Sequence, residues 1–260
     1  MHNPLFYTSL GLLRVHMRVR PGLNQTTSKK PITYERMTVE TPNPLARFAH
    51  RSRMSRSLAI VNKFLAPEGS LVDFGAGTGL LLHQVRQQYP QADLFGVEPF
   101  MDPLYPDSAR FVRALTLLPP QAIDVICAFE VCEHMHESEI HDFLRDSSRT
   151  LRPNGCLLIS APIMYGALVA PKVINHIRLG GWTQYSFLNV LRSTVGLSVP
   201  RPPDPRTTHM GFDFRWLKNL IATTFHIDSH SYSPFPALPW FLNSQIFLVC
   251  SLPAGSIRPE

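Results

Sequence analysis

The sequence predicts an α/β protein, a mostly parallel β-sheet with helices on both faces. Three observations carry that reading. Short apolar runs of strand length alternate with helical patterns from about residue 45 to residue 160, the rhythm of a sheet wound through crossover helices. One run, Val72-Asp73-Phe74, leads into glycines at 75, 77 and 79 and then a helix. Another, Ile123 to Phe129, is apolar apart from Asp124, as a strand covered on both faces must be.

The elements follow in order. Residues 1–44 read as an extended basic arm, punctuated by Pro21-Gly22, Pro31, Pro42 and Pro44. From Leu45, apolar residues recur at helical spacing, while Arg47, His50, Arg51, Arg53 and Arg56 fall on the opposite face. Strands are expected at Leu71–Phe74, Leu94–Val97, Ala109–Val112, Ile123–Phe129 and Cys156–Ser160. Helices are expected at about Gly79–Tyr89 and Ser138–Leu151, the latter closed by a Pro153-Asn154-Gly155 turn. Residues 163–210 break the rhythm and read as an insertion or lid. A helix over Asp213–Phe225, with Asp213 as N-cap, a strand starting at His226 and a final strand over Ser244–Ser251 complete the pattern. Residues 252–260 are a tail.

Composition narrows the function. With 260 residues and 44% hydrophobic content, the chain builds a core without a metal or disulfide staple and is not a disordered one. No run of about 18 apolar residues predicts a membrane span. Met1 to Leu13 lacks a basic flank and a clean cleavage site, so it is not read as a secretory signal; contact of that stretch with a membrane surface is the alternative. Cys127, Cys132, Cys156 and Cys250 sit in or beside apolar runs and read as buried thiols of a reducing compartment, so the expected location is cytoplasmic, with membrane association as the variant. Residues 1–63 hold eleven Lys/Arg against two Asp/Glu, and residues 64–260 hold fourteen against seventeen. The net charge of +6 therefore belongs to the front of the chain, which disfavours a general nucleic-acid binder.

The sharpest motif is Asp73-Phe74-Gly75-Ala76-Gly77-Thr78-Gly79. Glycine lets the backbone turn and approach a ligand closely, and the helix behind it offers free N–H groups. A dinucleotide loop would place its third glycine one residue later, and a phosphate-binding loop would continue with Lys-Ser/Thr. Glu98 ends the next strand, where a carboxylate accepts hydrogen bonds from both hydroxyls of a ribose.

With these residues the chain resembles class I S-adenosylmethionine-dependent methyltransferases over about residues 45–251. The resemblance implies a Rossmann-like, seven-stranded sheet whose last strand is antiparallel. It implies S-adenosylmethionine held by Gly75, Ala76, Gly77 and Gly79, its ribose on Glu98, and Asp73 facing its ammonium. No carboxylate stands in 111–119, where the family often places one near the adenine amino group.

Ile123–Phe129 runs into Glu130-Val131-Cys132-Glu133-His134. At spacings of three and four the two carboxylates and the imidazole share one side of a helical turn. Three uses stand open: shaping the loop, a general base at His134 with Glu133 beside it, or a divalent metal on Glu130, Glu133 and His134, ranked in that order, so that magnesium comes last. The pattern resembles the ubiquinone-biosynthesis O-methyltransferase branch, which implies that Phe129 and Glu130 touch the methionyl part of the cofactor. His209 and His50 are further proton-transfer candidates. The expected reaction is methyl transfer to an oxygen of a small-molecule, sugar or lipid-linked acceptor. Ser233–Phe241 is a proline-rich apolar lip, and peripheral membrane contact is a further expectation. The alternatives are an RNA methyltransferase using the basic arm and a cofactor-binding module without catalysis.

Overall fold

The computed structural model describes residues 44–178 and 185–253. The expected arm, apart from Pro44, and most of the tail lie outside the described residues. Helix α1 spans Pro44–Phe64, beginning one residue before the apolar pattern does. Then come β1 (Ser70–Phe74), α2 (Leu80–Gln88), β2 (Asp93–Val97), β3 (Arg110–Val112), β4 (Ile123–Phe129), α3 (Glu137–Thr150) and β5 (Leu151–Pro162). Helices α4 (Val169–Arg178) and α5 (Phe187–Thr194) fill the predicted insertion. The chain closes with α6 (Phe214–Ile221), β6 (His226–Ser233) and β7 (Gln245–Ser251).

The seven strands lie in the order β3-β2-β1-β4-β5-β7-β6. β1 to β5 pair in parallel, and β7 runs antiparallel to both β5 and β6. Because alternate strand residues face opposite ways, the sheet feeds two cores. Leu71, Val125 and Leu158 pack with Val61 of α1 and Leu82 and Val85 of α2. Val72, Ile126 and Leu157 pack with Ile140 and Leu144 of α3 and Leu217 and Ile221 of α6. Ile126 has no exposed surface; Ile126→Ala should lower the unfolding free energy by about 2–5 kcal/mol in a urea titration.

Two expectations are corrected. Pro153-Asn154-Gly155 is no turn between elements but lies inside β5. Leu151 pairs with Ile123 and Cys156 with Val125, so the residues between them bulge, and a Cβ on Gly155 would stand 2.9 Å from the Asp124 carbonyl oxygen. Arg152 anchors the bulge on Asp124 at 2.6 Å. The predicted helix from Asp213 stops at Ile221, and Phe225 packs in the core just ahead of β6. β6 itself runs on to Ser233. Asp213 caps α6 by accepting from the Arg215 N–H, and all four cysteines are free thiols.

Candidate active site

The carboxyl ends of β1, β2 and β4 meet at one edge, where open α/β sheets hold their ligands. Gly75, Gly77 and Gly79 all have positive φ, at 76°, 53° and 82°. The N–H groups of Gly75 and Ala76 both donate to the Val97 carbonyl, strapping the loop to β2. A Cβ on Gly75 would lie 2.5 Å from the Val131 side chain, so the glycine loop and the turn after β4 are packed directly together. A Cβ on Gly77 would meet only Met101, at 3.4 Å, which leaves the loop's backbone open to a ligand.

Glu98 is buried. It accepts from the N–H of Gly77 at 2.9 Å on one oxygen, and from Phe100 and Met101 at 2.8 and 3.2 Å on the other. A carboxylate offers about four lone-pair sites, so one remains for a hydroxyl. Asp73 is buried on β1, with the Cys127 thiol 3.5 Å away. Burial pushes its carboxyl up to about 7; the Cys127 hydrogen bond opposes this and the Glu98 charge adds to it. Two buried acids in one pocket suit a cationic guest, because a nearby positive charge favours both carboxylates. Phe100 and Met101 stand largely exposed beside the loop. This acid pair, the open glycine backbone and the apolar ledge fit a ligand with an ammonium, a sulfonium, a ribose and an aromatic base.

Beyond β4 the chain turns sharply. Glu130 sits at φ 58°, a region that costs a non-glycine residue energy and often marks functional sites. Its carboxylate accepts from Arg53 of α1 at 3.2 Å and from Gln245 of β7 at 2.8 Å. Gln245 also donates to the Ser160 hydroxyl at 3.2 Å. Lys172 of α4 donates to the carbonyls of Ile163 and Ser244. Burial pulls its ammonium down to about 8, with Glu130 raising it and Arg53 lowering it further.

Cys132–His134 form one 3-10 turn. Arg201, from the insertion, ties that turn down through the carbonyls of Glu133 and Met135. Glu133 is fully buried, and neither carboxylate oxygen has a hydrogen-bond partner. Burial, aided by the Glu130 charge, pushes its carboxyl well above the usual range. His134 Nε2 lies 3.1 Å from His209 Nε2, so one nitrogen carries the hydrogen and the other accepts it. Burial lowers the His134 pKa against the pull of Glu130. Burial, then His134, Arg53 and Lys172, bring His209 to about 4. Both rings are therefore neutral at pH 7.

That shift has a sign. His209 is depressed in the folded chain relative to about 6.5 unfolded, so unfolding takes up a proton between the two values. Its contribution is intact above pH 6.5 and is lost as pH falls toward 4. Urea midpoints measured across that window should fall with pH, and less steeply for His209→Gln.

The sequence-predicted residues thus separate. Asp73, Gly75, Ala76, Gly77, Gly79 and Glu98 stand together at the carboxyl ends of β1 and β2. Glu133, His134 and His209 form another group, with one ligand atom from each all within 4.8 Å of one another. Glu130 is engaged by Arg53 and Gln245 rather than facing that group. Phe129 is partly buried, its ring 6.0 Å from Phe247. The side chain of His50 lies outside the described residues. Lys172, Arg201 and Gln245 were not singled out for the site by sequence reasoning, and Arg53 was marked only as part of the basic face of α1, since each reaches it from a distant element.

A family model described as a methyltransferase domain matches residues 46–189. The PH0226 protein from Pyrococcus horikoshii OT3 aligns with a TM-score of 0.54 at 13% identity, over 84% of this chain and 98% of that one. The 1,6-didemethyltoxoflavin-N1-methyltransferase of Burkholderia thailandensis, solved with 1,6-didemethyltoxoflavin and S-adenosylhomocysteine, aligns with a TM-score of 0.51 at 16% identity, over 77% and 78% of the two chains. No curated protein sequence matches the chain.

Proposed function

Since the chain belongs to the methyltransferase-domain family, and is thus an S-adenosylmethionine-dependent methyltransferase, we propose that it methylates an oxygen of a small-molecule, sugar or lipid-linked acceptor, in the manner of the ubiquinone-biosynthesis O-methyltransferase branch. The cofactor supplies an electrophilic methyl group. The chain's own residues then do the rest. Gly75, Ala76, Gly77 and Gly79 give the methionyl part a backbone surface, Asp73 faces the ammonium, and Glu98 holds the ribose. Phe129 and the Glu130 turn close the side toward the acceptor. Positioning and exclusion of water carry most of such a transfer.

The single observation behind oxygen as acceptor is the His134–His209 pair. Two neutral imidazoles 3.1 Å apart form a proton acceptor whose charge, once formed, is shared and lies near Glu130. A hydroxyl needs such a base during transfer. His134 takes the proton and His209 orients it, with Glu133 beneath. Residues 163–210 act as the lid, bringing Lys172, Arg201 and His209 over the turn. The four free thiols fit a reducing compartment such as the cytoplasm, and among the described residues no helix is long and apolar enough to cross a membrane.

A second reading rests on the two unpartnered oxygens of Glu133. Glu133, His134 and His209 fit a divalent metal, and two imidazoles with one carboxylate suit manganese, iron or zinc better than magnesium. Such an ion would polarise the acceptor hydroxyl. Activity that is lost in chelator and restored by one of these ions selects this reading; indifference to chelator selects the histidine base. The acceptor class is tested with methyl-labelled cofactor over phenols, sugars, lipid extracts and RNA. Label in any of the first three agrees with the proposal, and label in RNA alone overturns it.

A further inference from the structure

The basic face of α1 divides. Arg53 is engaged by Glu130, but Arg56, three residues on, makes no hydrogen bond or ion pair among the described residues, and its Nε is buried without a partner. Ser52, Ser55, Arg56 and Ala59 recur at spacings of three and four and so share one side of the helix. They face Tyr232, Ser233, Pro234 and Pro236 at the end of β6, and the two walls enclose a cleft of about 230 Å³. The walls meet where the Ser52 and Ser233 hydroxyls lie 3.4 Å apart. Buried Asn243 fixes the second wall: it accepts from the Phe235 N–H and donates to the carbonyls of Phe235, Leu238 and Pro239. The cleft is therefore formed before anything enters it.

Its lining selects the guest. No Asp or Glu occurs in residues 44–67 or 229–259, which supply the two walls, so the guanidinium has no counter-charge there and favours an anion. Hydroxyls flank it from both sides: Ser52 and Ser55 on the helix, Tyr232 on the strand. Burial raises the Tyr232 phenol, which keeps it an O–H donor at neutral pH. A carboxylate would be satisfied by the guanidinium fork alone. A phosphate has further oxygens, and hydroxyls on two walls can reach them.

We propose that Arg56, with Ser52, Ser55 and Tyr232, binds a phosphate group. Its carrier is the acceptor, because the cleft adjoins the two residues that hold Glu130: Ser52 precedes Arg53, and Ser233 pairs with Gln245. The choice of carrier rests on the methyl-transfer reading; the phosphate site itself does not.

The test is calorimetry of the full chain with inorganic phosphate, glucose 6-phosphate and glucose, alongside Arg56→Gln and Tyr232→Phe. The expected result is binding of both phosphates and not of glucose. Affinity falls about tenfold or more in Arg56→Gln and less in Tyr232→Phe, with S-adenosylmethionine affinity unchanged in both. Tyr232→Phe removes one hydroxyl only, so it decides the matter if Arg56→Gln disturbs the fold. The inference is overturned if a chain that binds cofactor ignores both phosphates, or if binding is undiminished in both variants, which assigns it to other cations. Methyl-labelled cofactor offered with sugars, phenols and their phosphate monoesters then separates the carriers. Label concentrated in the phosphate esters, with KM raised and kcat held in Arg56→Gln, assigns the phosphate to the acceptor. Equal labelling with and without phosphate overturns that assignment and leaves free phosphate as the ligand. Loss of cofactor binding in the unmodified chain would fault the methyl-transfer reading, whatever phosphate does.

Discussion

Gly77→Arg abolishes binding of S-adenosylmethionine. Gly77 holds φ at 53°, a left-handed conformation that costs an L-residue about 1–2 kcal/mol. The strain alone is survivable in a chain of this size, lowering the melting temperature by only a few degrees. The larger effect is steric. A Cβ there meets nothing closer than Met101 at 3.4 Å, so the rest of the arginine extends into the space that the cofactor needs. Its guanidinium also enters beside Asp73 and Glu98, replacing the cofactor's ammonium as their counter-charge. Calorimetry should show an affinity loss beyond about a hundredfold, equivalent to some 2.7 kcal/mol. Unchanged affinity would place the cofactor elsewhere.

His134→Ala lowers turnover by about 10²–10⁴-fold, the range of a lost general base. Cofactor affinity should hold, because His134 belongs to the group beyond β4 and not to the glycine pocket. The substitution also takes away the partner of His209 Nε2, so a urea titration of the variant beside the unmodified chain separates a lost base from a weakened fold. His209→Ala should show a smaller loss and an altered acid limb in the pH profile, since burial lowers both imidazoles and the His134 ring lowers His209 further. Full activity in His134→Ala would contradict the base and leave transfer to positioning alone.

The proposed cofactor site could be read as one group because its residues are nearly contiguous. Asp73 through Gly79 is one strand-to-loop passage, and Glu98 is the end of the next strand, so local pattern and spacing suffice. The chemistry beyond β4 was legible only in part. Glu133 and His134 stand together in the chain, but His209 reaches them from 75 residues away, Arg53 from 77 residues before Glu130 and Gln245 from 115 after it. Such meetings are set by strand order, which spacing does not encode. The same limit explains why Glu130 reads as a ligand of the Glu133–His134 group from its i, i+3, i+4 spacing: the positive φ that turns it toward Arg53 and Gln245 leaves no mark in composition. Pro153-Asn154-Gly155 reads as a turn because a bulge uses the same residues, and only pairing with β4 separates the two. The exposure of Phe187, Leu188 and Leu191 on α5 was likewise hidden, since a helical apolar stripe looks identical whether it faces core or solvent.

Transfer from cofactor carrying a carbon-13 methyl group, followed by NMR of the product, decides between a histidine-assisted O-methyl transfer and any other. The expected result is a single new methoxy signal that requires the full chain, disappears in Gly77→Arg and is strongly reduced in His134→Ala. An N-methyl or C-methyl signal, or a methoxy signal undiminished in His134→Ala, would contradict it.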